Sequence, residues 1–96
     1  MRRFEYEFDL RFNDRIISKI VIDQHYKKSH PEMSDELILE LVKSLNSDKA
    51  DFESEKGDFE YFKKDPLLYN DRTYRLVFLI HKWENYLGVI NAFRVK

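Results

Sequence analysis

Aromatic and charged residues alternate without a fault at the start of the chain. Phe4, Tyr6, Phe8, Leu10 and Phe12 share one parity, and Arg3, Glu5, Glu7, Asp9 and Arg11 share the other. A period of two places the first set on one face of a strand and the second in water, so the segment predicts a half-buried strand whose aromatic face needs a cover. Asn13-Asp14 tolerates positive φ and predicts a two-residue hairpin turn. Ile16, Ile17, Ile20, Val21 and Ile22 are stiff, β-branched side chains that suit a second strand, antiparallel to the first.

The pattern then changes period. Asp23 is placed to cap a short helical turn through His30, which Pro31 ends. Ser34 is the next N-cap, with Asp35 and Glu36 in the first turn, where the helix dipole favours carboxylates. Leu37, Ile38, Leu41, Val42 and Leu45 form one apolar stripe of a helix that closes near Asn46. Residues 47–58 are acidic and read as an exposed loop. Residues 59–63 predict a short strand halted at Asp65-Pro66, and Tyr69-Asn70-Asp71-Arg72 predicts a second turn. Residues 73–82 are apolar on both parities, which predicts a strand central in its sheet. After a turn at residues 82–85, residues 86–95 return as the last strand.

The predicted fold is α+β, in one domain spanning residues 1–96. It has an N-terminal β-hairpin, one short and one longer helix, then a three-stranded antiparallel segment. The helices pack on one face of a mostly antiparallel sheet.

Composition narrows the function classes. With 43% hydrophobic residues and only two Gly and two Pro in 96 residues, the chain is neither a disordered tail nor a collagen-like fibre. Its longest apolar run, residues 76–80, is far short of the roughly 20 residues that span a bilayer. No apolar stretch follows Arg2-Arg3, so no secretory signal is expected. The absence of cysteine excludes disulfides and thiolate chemistry. A cytoplasmic protein without membrane association is expected. The formal charge of −1 hides an uneven distribution: +1 over residues 1–32, −5 over residues 33–65 and +3 over residues 66–96. Binding nucleic acid through bulk charge is disfavoured, and a local phosphate site stays open.

Candidate chemistry lies in two clusters. His25 and His30 are five residues apart and do not align on a helix, and His81 lies in a distant strand. With no cysteine and no HExxH pattern, neither metal nor cofactor is expected. Gly57 and Gly88 stand alone, so no phosphate-cradling glycine loop exists. Two imidazoles near neutrality suit general acid–base work, and Lys27 and Lys28 between them offer charge to a phosphate. The plainer alternative is a solvated turn with Tyr26 tucked into the core. The second cluster is Arg72, Arg75 and Arg94 on the C-terminal strands. If Thr73 lies across from Arg94, Arg75 and Arg94 share an end of the sheet, where guanidinium groups suit bidentate phosphate binding. Pairing with carboxylates of the acidic middle is the equal alternative. Trp83, in a turn, offers a partner contact or a stacking platform.

Ile20-Val21-Ile22-Asp23-Gln24-His25, Lys28-Ser29-His30, the following helix, Tyr74-Arg75-Leu76-Val77-Phe78 and Val89-Ile90-Asn91-Ala92-Phe93-Arg94 together resemble the small RNase toxins of bacterial toxin–antitoxin pairs, the RelE/ParE and BrnT-type group. The resemblance spans about residues 20–96. It implies a metal-independent ribonuclease acting on RNA phosphodiesters and held by a cognate antitoxin, with His25, His30, Arg75 and Arg94 as catalytic residues. Lys27, Lys28, Arg72 and Trp83 would then contact substrate. The alternative is a non-catalytic interaction module that docks a partner, or pairs as a homodimer, through its N-terminal edge strand.

Overall fold

The computed structural model describes residues 3–12, 15–45 and 50–95. The alternating N-terminal segment is strand β1 (Arg3–Phe12), and the β-branched run is β2 (Arg15–Asp23), antiparallel to it. Two helices follow, α1 (Tyr26–Ser29) and α2 (Asp35–Lys43). The chain then runs as a meander of β3 (Asp51–Lys56), β4 (Phe59–Tyr69), β5 (Arg72–His81) and β6 (Tyr86–Val95).

All six strands form one sheet in the order β1-β2-β6-β5-β4-β3. The meander begins at the far edge and works back, so its last strand docks beside β2. That junction is parallel, while the other neighbours are antiparallel. The fold is therefore corrected from a layered α+β arrangement to a small β-rich one, a six-stranded mixed sheet with two short helices inserted.

Two local readings fell short. Residues 47–58 were expected as loop, yet β3 lies among them. Every residue of β3 is exposed, so it has no apolar alternation to betray it; backbone pairing with β4 holds it instead. β4 was expected to stop at Asp65-Pro66. It continues to Tyr69 across a cis Asp65–Pro66 bond and a register shift between Lys64 and Leu67. A bulge absorbs the missing proline N–H that would otherwise end a strand. The meander thus has four strands where three were expected. The turn at Asn13-Asp14 and the helix end at Asn46 lie outside the described residues. α2 itself closes on Ser44.

The sheet curls. Phe12 of edge strand β1 meets Phe62 of β4 edge-on at 5.4 Å and Phe78 of β5 at 5.3 Å, although other strands lie between them in the sheet. Phe62 and Phe78 stack at 5.4 Å. Arg15 of β2 likewise reaches Glu60 of β4 in an ion pair. The concave face holds the core: Leu10, Ile20, Ile22, Leu76, Phe78, Ile80 and Leu87 pack there with Ile38, Leu41 and Val42 of α2. Tyr74, Leu76, Phe78 and Ile80 are buried, as the alternation of β5 predicts, whereas Val77 and Leu79 on the outer face are half-buried. No helix among the described residues is long and apolar enough to cross a membrane.

Candidate functional site

One extra residue decides how the C-terminal arginines are displayed. Ile80 pairs with Leu87 and Phe78 with Val89, but Val77 pairs with Asn91, leaving Ile90 as a bulge. The bulge advances the rest of the hairpin by one position, so Arg94 lies opposite Tyr74 and Val95 opposite Thr73. The expected Thr73–Arg94 pairing is corrected accordingly. Because side chains alternate faces, Arg75 and its partner Phe93 are on the outer face, while Arg94 shares the inner side with Tyr74.

Phe93 collects two of the predicted residues. The His30 ring stacks on it at 4.7 Å and 17°. The Arg75 guanidinium sits over the same ring, 5.3 Å from its centroid, and Arg75 Nε donates to Asp65 Oδ2 at 2.7 Å. Arg75 thus takes the carboxylate partner that the sequence offered as the alternative. Glu32 connects this cluster to Arg94. Its Oε2 accepts from the Arg94 backbone N–H at 3.3 Å and lies 3.9 Å from His30 Nδ1. Segments far apart in sequence therefore place His30, Glu32, Arg75 and Arg94 at one end of the sheet.

On the inner side of that end is a cleft of about 180 Å³ lined by Glu32, Leu37, Tyr69, Asn70, Arg72, Tyr74 and Arg94. The β4–β5 turn forms one wall, and Asn70 and Asp71 adopt φ of 50° and 63° there. Asn and Asp tolerate this left-handed conformation, which matches the twist of a hairpin. Tyr69 donates to Glu40 Oε2 at 3.3 Å, which fastens the wall to α2. Its hydroxyl pKa is raised, first by burial and then by the Glu40 charge. Among the described residues, Arg72 and Arg94 have no ion-pair partner, whereas Arg15 and Arg75 each have one.

The other predicted site residues lie elsewhere. His25 turns to Asp23, whose Oδ1 is 3.1 Å from both its backbone N–H and its Nδ1. Asp23 was expected to cap α1, but His25 holds the N-cap position, with no side-chain cap bond. Burial pushes the Asp23 carboxyl up, and the bonds from His25 with the Arg3 charge bring it below its usual range. Lys27 lies 5.5 Å over the Phe4 ring, and Lys28 is exposed. Trp83 is 77% exposed, in a turn fixed by His81, whose Nδ1 accepts the N–H groups of Trp83 and Glu84 at 3.1 Å each.

Sequence reasoning missed a polar knot at the start of α2. Tyr6 donates to Asp35 Oδ2 at 2.6 Å, Tyr26 donates to Oδ1, and Gln24 Nε2 lies within 3.2 Å of both oxygens. Burial alone would raise the Asp35 pKa. The bonds from Tyr26, Tyr6 and Gln24, with the Lys27 charge, outweigh it and hold the carboxyl below its usual value. The Tyr6 hydroxyl is pushed up to about 12, chiefly by its bond to Asp35 and then by burial. Tyr26 rises further, first from burial and then from Asp35. A carboxylate saturated by donors, facing phenols that stay protonated, ties elements together and is poorly suited to proton transfer. The sequence did place Asp35 at the helix start, but nothing in it announced that Tyr6 and Tyr26 converge there.

A scan against protein-family models finds no match, and comparisons with curated proteins and with solved structures likewise find none.

Proposed function

We propose that the protein is a metal-independent ribonuclease of the toxin type, acting on RNA phosphodiesters at the Phe93 end of the sheet. The convergence of His30, Glu32 and Arg75 around Phe93, with the Arg94 backbone N–H tied to Glu32, carries this reading. Cleaving RNA without metal requires a base for the ribose 2′-hydroxyl, an acid for the departing 5′-oxygen and fixed positive charge for the phosphorane. His30 is the base. Glu32 beside Nδ1 favours a proton on that nitrogen and leaves Nε2 to accept the 2′-hydroxyl proton. The 2′-oxygen then bonds to phosphorus and the bond to the 5′-oxygen breaks. The imidazolium, directly or through one water, returns the proton to that oxygen, leaving a 2′,3′-cyclic phosphate. Arg75, held by Asp65 over the Phe93 ring on which His30 stacks, supplies charge, and Arg94, on the inner side, holds the adjoining part of the strand. This assigns the acid–base role to His30 and leaves His25 in its pair with Asp23. A cytoplasmic location and a cognate antitoxin follow from the same reading.

Docking through the N-terminal edge is less well supported. Tyr6, Phe8 and Phe12 of β1 turn toward the core side, and the residues between them are charged, which discourages strand addition.

The test is cleavage of an end-labelled single-stranded RNA by the purified protein in excess EDTA. Wild type should yield 2′,3′-cyclic phosphate ends. His30→Ala should lose about 10²–10⁴-fold in rate, the usual contribution of a general base, while His25→Ala should stay within a few-fold. Absence of cleavage by folded protein, or equal rates for wild type and His30→Ala, would overturn the reading.

A further inference from the structure

We infer that the cleft between the β4–β5 turn and the end of β6 is a subsite for one backbone phosphate of a single-stranded nucleic acid, held by Arg72 and Arg94. The inference rests on the ribonuclease reading for the identity of its ligand, and its geometry stands apart. Several basic side chains of the sheet and its turns meet a carboxylate: Arg15 meets Glu60, Arg75 meets Asp65, Lys63 meets Glu53 and Lys82 meets Glu55. Arg72 and Arg94 are different. They line one concave site and, among the described residues, neither has an ion-pair partner. Two guanidinium groups around one concavity match the planar, multi-acceptor edge of a phosphate.

The cleft also limits what else can enter. Its volume of about 180 Å³ lies below the roughly 300 Å³ from which pockets for drug-sized ligands begin, so it admits a phosphate with part of its sugar rather than a whole dinucleotide. Tyr69 and Tyr74 give it aromatic walls, suited to the face of a ribose or base. Glu32 supplies the one carboxylate among the cleft residues, and that carboxylate is engaged with the Arg94 N–H on the side facing His30. A bound phosphate therefore sits toward Arg72, and the next phosphate along the strand passes the β6 edge at His30. The bulge at Ile90 makes this possible: without it, Arg94 would lie on the face of Arg75, and the cleft would keep Arg72 alone.

Binding can be measured without catalysis. The side-chain Nε–H signals of Arg72 and Arg94 would be followed by NMR while the full chain is titrated with inorganic phosphate or with a DNA tetranucleotide, which has no 2′-hydroxyl to react. Both signals should shift saturably, with the tetranucleotide binding at least about tenfold more tightly than phosphate. Arg72→Gln and Arg94→Gln, at exposed positions, should each weaken binding by about tenfold, the usual loss of a charge-assisted bond. Glu32→Gln should strengthen it by removing the neighbouring negative charge. Equal affinity for phosphate and tetranucleotide would overturn the nucleic-acid assignment in favour of a free-phosphate site. Shifts confined to Lys27 and Lys28, or binding untouched by both arginine variants, would overturn the site itself. Tetranucleotide binding with no RNA cleavage would leave the subsite in place and remove the ribonuclease. Cleavage with KM unchanged in both arginine variants would do the reverse.

Discussion

Asp35 gathers more side-chain hydrogen bonds than any other of the described residues. Its carboxylate gathers Tyr6 from β1, Gln24 from the β2–α1 junction and Tyr26 from α1, and it opens α2. The knot has two pH limits of opposite origin. A carboxyl with a lowered folded-state pKa contributes its full stability above the ordinary carboxylate range and loses it as pH falls through the depressed value. A phenol raised from 10.0 to about 12 does the converse: the contribution of Tyr6 is full below 10 and is lost as pH rises through about 12. Asp35→Asn removes the charge that sets both limits. It should lower the unfolding free energy at pH 7 by about 1–3 kcal/mol, as expected when buried hydroxyls lose a charged acceptor. The change in urea midpoint between pH 7 and the acid and alkaline limbs should also flatten. Steep limbs in Asp35→Asn equal to those of wild type would show that other groups set them.

At the scale of elements, alternation was readable wherever one face is buried. It placed β1, β2, β5 and the stripe of α2 correctly, because the buried centre of the inner face is filled by apolar side chains. It failed where pairing alone decides. β3 is exposed throughout, and the bulges in β4 and β6 leave little mark on the hydrophobic pattern. The bulge at Ile90 matters most, since a shift of one position moved Arg94 to the opposite face from Arg75. The curl of the sheet was likewise hidden, because it joins β1 to β4 across intervening strands. Phe12 measures that junction. Its ring meets both Phe62 and Phe78 edge-on and is fully buried, so Phe12→Ala should cost about 3–5 kcal/mol in thermal or urea unfolding. Phe52 touches the same Phe62 at 5.8 Å but is 55% exposed, and Phe52→Ala should cost about 1 kcal/mol or less. Similar losses for the two variants would mean that the curl is not held by the Phe12 contact.

Over the whole molecule, folding redistributes the charge that the sequence lays out in blocks. The acidic middle does not form a separate face: Glu60, Asp65 and Glu55 reach out to Arg15, Arg75 and Lys82 of the flanking basic segments. The candidate site was legible to that extent. His30, Arg72, Arg75 and Arg94 were named from the sequence, but which cations would be neutralised and which left open depended on strand register. A net charge of −1 gives the protein no overall basic excess with which to hold RNA by counterion release. Arg72 and Arg94 bring two positive charges to the strand, and counting about one displaced counterion for each gives, for a single strand, a slope of log K against log salt near −1.4. Fluorescence anisotropy of a labelled oligonucleotide between low and physiological salt measures this slope. A value steeper than about −3 would mean four or more phosphate contacts, drawing Lys27 and Lys28 into the interface and extending the path of the strand from the sheet end along α1. A value near −1.4, falling to near −0.7 in Arg72→Gln, would confine recognition to the cleft and make its shape, rather than the charge of the surface, the source of whatever selectivity the protein has.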